Sequence, residues 1–130
     1  MLKDFDGWNE VKKKTDTGEN RLFFKDGEVW WVRLGLNIGF EMNGKSLEYT
    51  RPVLILKKYN KYSFLALPLS TSTNINNYRV SVGIIDGKEA VANLSQLRNI
   101  DSKRLVKKIG HLERDMFDEI KKKASQINFG

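Results

Sequence analysis

Two residues stand out for what their types and spacing can do: Arg51 and Ser70. Arg51-Pro52 opens the apolar run Val53-Leu54-Ile55-Leu56, and Phe64-Leu65-Ala66-Leu67 closes on Pro68-Leu69-Ser70. Both runs are short, rich in branched residues and bounded by breakers, so they predict two buried strands joined by a basic turn. Antiparallel pairing brings the end of the second strand to the start of the first. A permanent cation and a hydroxyl then share one rim of a sheet. A guanidinium fork grips a phosphate through two bonds, and a hydroxyl can donate to the same oxygens. Taken singly, Arg51 is also a solvated strand opener and Ser70 a turn cap, so the pair matters more than either member.

Those strands need a scaffold, and 130 residues suffice for one domain. The chain is 40% apolar with three Trp, seven Phe and four Tyr, enough for a core. No apolar run approaches membrane-spanning length, and no secretory leader is expected from the Lys-rich start. Zero cysteines exclude disulfides, thiolate nucleophiles and Cys-based zinc sites, and fit a cytoplasmic location. The single histidine, His111, rules out a two-histidine acid–base pair and reads as a structural residue rather than an acid. No cofactor is expected.

The formal charge is +7, and it is unevenly spread. Residues 1–26 are balanced, whereas 41–62 carry five basic residues against two acidic ones. Residues 101–123 carry eight against five. Clustered Lys and Arg suit a polyanion, though solubility alone also favours a net charge.

In chain order, residues 4–14 predict a short amphipathic helix presenting Phe5 and Trp8, followed by a loop from Thr15 to Asn20. Lys25-Asp26-Gly27 is a turn into a strand from Glu28 to Leu34, whose tandem Trp30 and Trp31 point to opposite faces. At least one should be core; the other covers the outer helix or a subunit interface, or is a platform for a base. A polar loop covers Glu41 to Thr50, and another covers Ser72 to Tyr78. Strands follow from Arg79 to Ile85 and, after the hairpin signal Asp86-Gly87, through Val91. Leu94 to Ile100 is extended, Asp101 caps a single helical turn, and Val106 to Leu112 is the last strand. Met116, Phe117, Ile120, Ala124 and Ile127 have helical spacing from Glu113 to Ile127, with Lys121–Lys123 placed to suit the helix C-terminus. Short antiparallel strands and a C-terminal helix predict a small, strongly bent α+β sheet or barrel.

The ordered set of Gly27-Glu28-Val29-Trp30, Gly39-x-Glu41, Arg51-Pro52-Val53-Leu54-Ile55, Pro68-Leu69-Ser70, Leu94-Ser95-Gln96-Leu97-Arg98-Asn99-Ile100-Asp101 and Lys103-Arg104-Leu105 with Lys108-Ile109-Gly110 resembles the MazF/PemK toxins of bacterial toxin–antitoxin systems. The resemblance covers about residues 22–125. It implies an SH3-like barrel of the MazF/CcdB type over residues 21–130; residues 1–20 lie outside the resemblance and are expected, from the 4–14 pattern, as an N-terminal helical extension. The resemblance also implies a homodimer that cleaves single-stranded mRNA without metal and is neutralised by an antitoxin carrying an acidic, disordered segment.

By the same resemblance Arg51 and Ser70 occupy the cleavage positions, and Glu41 serves as a base or orients Arg51. Gln96 and Arg98 fall at RNA-contacting positions; Arg98 suits an ion pair with Asp101 or Glu41 equally well. Lys57 and Lys58, in the basic segment around Arg51, are expected on the RNA. Two features depart from the family pattern: serine replaces the usual threonine at position 70, and the segment from Glu41 to Arg51 is longer than in short members. Two other functions suit such a chain. One is a CcdB-like inhibitor of a protein such as DNA gyrase, which needs neither Arg51 nor Ser70; the other is a non-catalytic nucleic-acid-binding barrel.

Overall fold

A computed structural model describes residues 21–34, 50–71 and 78–130. The expected helix at 4–14, the loop at 15–20, the Glu41 loop up to residue 49 and the loop from Ser72 to Tyr78, its last residue excepted, lie outside the described residues.

The elements are β1 (Glu28–Arg33), β2 (Thr50–Asn60), β3 (Ser63–Ser70), β4 (Arg79–Ile85), β5 (Lys88–Asn93), β6 (Arg98–Asp101), a 3-10 turn (Ser102–Arg104), β7 (Leu105–His111) and α1 (Arg114–Phe129). The seven strands form one sheet in the order β4-β5-β3-β2-β1-β7, and β6 joins β3 off this path. All recorded pairings are antiparallel. β3 is shared along one edge: its first half pairs with β6 (Phe64 with Ile100) and its end with β5 (Ser70 with Val91).

β2 and β3 carry continuous apolar runs, Val53–Leu56 and Phe64–Leu69, where both faces of the sheet are covered. Val53 and Ile55 of β2 pack with Trp30, Val32, Phe64 and Ile100 on one face. Leu54 and Leu56 pack with Val29, Leu67, Leu69 and the helix residues Ile120 and Ala124 on the other. Met116, Phe117 and Ile127 pack half-buried against this second core, so the periodic apolar stripe is the face that docks α1.

Three turns follow from local chemistry. Gly27 sits at φ +89°, its N–H donates to the Ile55 carbonyl at 2.7 Å, and its own carbonyl accepts from Leu112. A Cβ there would meet the Phe117 ring at 3.6 Å, an ordinary contact, so the backbone angle rather than space demands glycine. Asp86 and Gly87 both have positive φ, 54° and 80°, as a type I′ hairpin requires. Asp101 caps the 3-10 turn by accepting from the Lys103 N–H at 2.8 Å.

One expectation is corrected. α1 continues to Phe129 and has no basic residue in its last turn, so Lys121–Lys123 sit mid-helix, away from its C-terminus. Lys123 instead lies 3.9 Å from Glu119, one turn earlier, and Lys121 stands over the Phe117 ring. In the last turn the Asn128 side-chain amide donates to the Leu94 carbonyl at 2.7 Å, tying the helix end to the chain after β5.

Candidate active site

β1, β2 and β3 lie side by side, and their register sets the rim. Arg51 pairs with Val32 of β1. On the other side the β2–β3 ladder has Val53 opposite Pro68, and continuing that antiparallel count by two positions sets Arg51 opposite Ser70. The Arg51 guanidinium donates across to the Leu69 carbonyl at 3.4 Å, a long bond that directs the side chain towards the end of β3. Pro52 lies opposite Trp31 of β1 near the start of β2, one residue before the β2–β3 ladder begins at Val53.

Arg51 and Ser70 line one hollow of about 360 Å³, together with Trp31, Thr50, Thr71 and Lys88. Trp30 and Trp31 separate as alternation requires. Trp30 is buried with 5% exposure, and its indole N–H donates to Glu28 at 2.8 Å. Trp31 is half-buried and forms part of the hollow. Lys88 arrives from the Asp86-Gly87 hairpin, and nothing in its local sequence marks it. Trp31 was open to detection, since the partner of a core tryptophan on a strand must face the other way.

The remaining candidates fall elsewhere. Gln96 is exposed in the tight turn after β5, its N–H bonded to the Asn93 carbonyl. Arg98 is exposed on β6 opposite Ala66, four residues before Ser70 on β3. Its suggested partner Asp101 is bonded instead by Arg21 at 2.8 Å, and that link together with the Lys103 N–H holds the Asp101 carboxyl below the usual carboxylate range. The Lys103 hydrogen bond is the larger cause. Lys57 and Lys58 are at the far end of β2, six and seven residues from Arg51, a span of roughly 20 Å in an extended strand. The Lys58 ammonium stands 4.6 Å from the Phe24 ring centroid. Glu41 lies outside the described residues.

A larger hollow of about 830 Å³ lies between the start of β1, the end of β7 and α1, and exposed His111 borders it. Its chief buried charge, Glu28, is engaged by Lys108 at 3.1 Å, by Trp30 and by the Lys25 N–H. Size therefore does not choose the site. The hollow with a cation and a hydroxyl on opposed strands is the one equipped to bind an anionic oxygen.

Among the described residues no group of three or more His, Asp or Glu side chains is arranged to hold a metal ion, and no helix is long and apolar enough to cross a membrane.

The architecture is a bent antiparallel sheet backed by one C-terminal helix. The chain belongs to the family of PemK-like, MazF-like toxins of type II toxin–antitoxin systems, whose model matches residues 25–127. It is 30% identical over 108 residues to the endoribonuclease EndoA of Bacillus subtilis strain 168, covering 76% of this chain and 89% of the relative. Its fold is similar to that of an endoribonuclease from Mycobacterial species solved in complex with its cognate antitoxin, with a TM-score of 0.62 at 16% identity over 80% of this chain and 93% of that one. MazF from Deinococcus radiodurans gives a TM-score of 0.62 at 20% identity, over 79% and 94% of the two chains. The barrel-type fold and the family expected from the motifs are thus borne out.

Proposed function

We propose that this chain is an endoribonuclease toxin that cuts single-stranded RNA at the hollow between Arg51 and Ser70. The observation that carries the reading is the juxtaposition of these two residues on adjacent strands in one hollow. RNA supplies its own nucleophile, because each 2′-OH is tethered beside the next phosphorus. Attack forms a new O2′–P bond, expels the 5′-oxygen of the following nucleotide and leaves a cyclic phosphate and a 5′-hydroxyl. Negative charge builds on the non-bridging phosphoryl oxygens as the bond forms. Arg51 stabilises that charge, and Ser70 donates to the same oxygens or holds the attacking hydroxyl. A guanidinium is too weak a base to take the proton, so proton acceptance belongs to another group, for which Glu41 is the candidate.

Gln96 in the turn after β5 and Arg98 on β6 extend the contact, and the protein works as a homodimer. Its antitoxin offers an acidic, disordered segment that competes for the same basic surface, in keeping with the complexes in which structural neighbours occur. The CcdB-like alternative gains nothing from the Arg51–Ser70 pairing. The test is incubation of purified protein with long single-stranded RNA in excess chelator, with the fragment ends mapped. Discrete cuts ending in cyclic phosphate support the reading; intact RNA overturns it.

A further inference from the structure

The end of the β2–β3 hairpin remote from Arg51 carries two exposed tyrosines, Tyr59 and Tyr62, at 51% and 42% exposure. The two rings stand three residues apart at one hairpin tip, so they present aromatic surface to solvent side by side in the chain. Cations flank Tyr62. The Arg21 guanidinium stands 4.7 Å and the Lys61 ammonium 5.3 Å from the Tyr62 ring centroid. Lys57 precedes Tyr59 on the same strand, and Lys103 is exposed on the adjoining 3-10 turn.

The tip is also held still. Ser102 donates its N–H to the Tyr62 carbonyl at 2.8 Å and its hydroxyl to the Lys61 carbonyl at 2.7 Å. Arg21 bridges to Ser102 and Asp101, both at 2.8 Å. Hairpin ends usually fray, so bracing from an element about forty residues further along the chain presents the rings at small entropic cost on binding.

β6 links this tip to the cleavage hollow. It runs antiparallel to the first half of β3, from Arg98 opposite Ala66 to Asp101 opposite Ser63. Ala66 is four residues from Ser70, roughly 13 Å, and Ser63 adjoins Tyr62. Exposed Arg98 and Asn99 thus lie between the rim and the tip. We propose that the β2–β3 hairpin tip is a second docking surface for single-stranded RNA, on which bases flanking the cut site stack against Tyr59 and Tyr62 while neighbouring lysines face the phosphates. This rests on the reading of the chain as an RNA-cutting enzyme. Aromatic rings interleaved with cations are the chemistry that binds single strands without reading sequence, and they suit an RNA better than a folded acidic protein.

The test compares two strands made uncleavable by a 2′-deoxy sugar at the mapped cut. One is confined to the cut motif, and the other is extended on each side by about ten nucleotides. The doubly substituted Tyr59→Ala, Tyr62→Ala protein should bind the long strand tenfold or more weakly, at roughly 5- to 100-fold per lost stacking contact, and bind the short strand as the unaltered protein does. Tyr59→Phe, Tyr62→Phe should restore long-strand affinity, because the rings remain. Unchanged cleavage of the short ribo-strand shows that the variant is folded. Equal loss on both strands, or loss on neither, overturns the proposal. So does an alanine variant that loses affinity for an acidic peptide while keeping the long RNA, which would make the tip a protein-docking surface. If the unaltered protein cuts no RNA, the proposed function fails, while the same comparison with mixed-sequence strands still decides this inference.

Discussion

Arg51 on β2 donates a hydrogen bond to the carbonyl of Leu69 on β3, 3.4 Å away, and so holds its guanidinium beside the last residue of that strand, Ser70. A backbone carbonyl fixes the arginine without neutralising it. Among the described residues no carboxylate pairs with Arg51, so its charge is available there to an incoming phosphate. The bond uses one of the five donors of the guanidinium.

If that charge and its neighbours bind RNA through phosphates, affinity for an uncleavable strand must fall with salt. For about four neutralised phosphates the slope of log K against log salt should be near −3. A titration giving a slope near zero would reduce the net +7 to a solubility feature.

Glu28 is the keystone of the β1 turn, and its replacement should show this in stability. Its carboxylate accepts from the buried Trp30 indole at 2.8 Å and from the Lys25 N–H at 3.0 Å. Glu28→Ala leaves both donors unmatched and should cost about 1–3 kcal/mol per stranded donor at most, with a lower urea midpoint. Glu28→Gln keeps an acceptor oxygen and loses mainly the partly exposed Lys108 pairing, so it should cost well under half as much. Equal losses in the two variants would mean that charge, not acceptance, is what matters.

Much of this architecture was legible in advance. The β2–β3 hairpin announces itself because burial on both faces forces continuous branched apolar runs, and Asp86-Gly87 because only such residues take two successive positive φ angles. What stayed hidden depends on distance through space. Arg98 and Asp101 look like partners three apart, yet on a strand such positions face opposite sides, and Asp101 meets Arg21 from 80 residues away. Counting charge by segment set Lys57 and Lys58 beside Arg51, although an extended strand carries them to the opposite end of the sheet. The helix runs only two residues beyond the expected Ile127, and the bond from Asn128 to Leu94 in that last turn leaves no periodic trace.

Asp101 should give the fold an acid-sensitive component. Its carboxyl is held below the ordinary value, first by the Lys103 N–H and then by Arg21, so the ionised form is favoured in the folded state. Protonation therefore removes stabilisation, which is present at neutral pH and lost as pH falls below about 4 through the folded value. Asp101→Asn should lie below the unaltered protein in melting temperature by a constant gap above about pH 5, and the gap should narrow in more acid solution. A gap that widens on acidification would contradict this origin.

Position 70 separates chemistry from shape. Ser70→Thr keeps the hydroxyl, and its added methyl restricts the rotamer, so most cleavage activity should remain. Ser70→Ala removes a hydrogen bond to a charged oxygen and should slow cleavage by roughly 10- to 100-fold. Initial rates on one RNA, measured after circular dichroism shows equal folding, decide it; a threonine variant as slow as the alanine one would make position 70 a packing site.

The most direct test is the rate of RNA cleavage by Arg51→Ala, alone and combined with Ser70→Ala, in protein shown to be folded and in the same oligomeric state as the unaltered chain. Loss of a preorganised donor at the phosphoryl oxygens costs about 2.7–4 kcal/mol in the transition state, so Arg51→Ala should be slower by roughly 10²–10³. Because both groups act on one phosphoryl centre, the double variant should lose less than the product of the two single losses. A folded Arg51→Ala protein that cuts RNA at the unaltered rate would contradict the account.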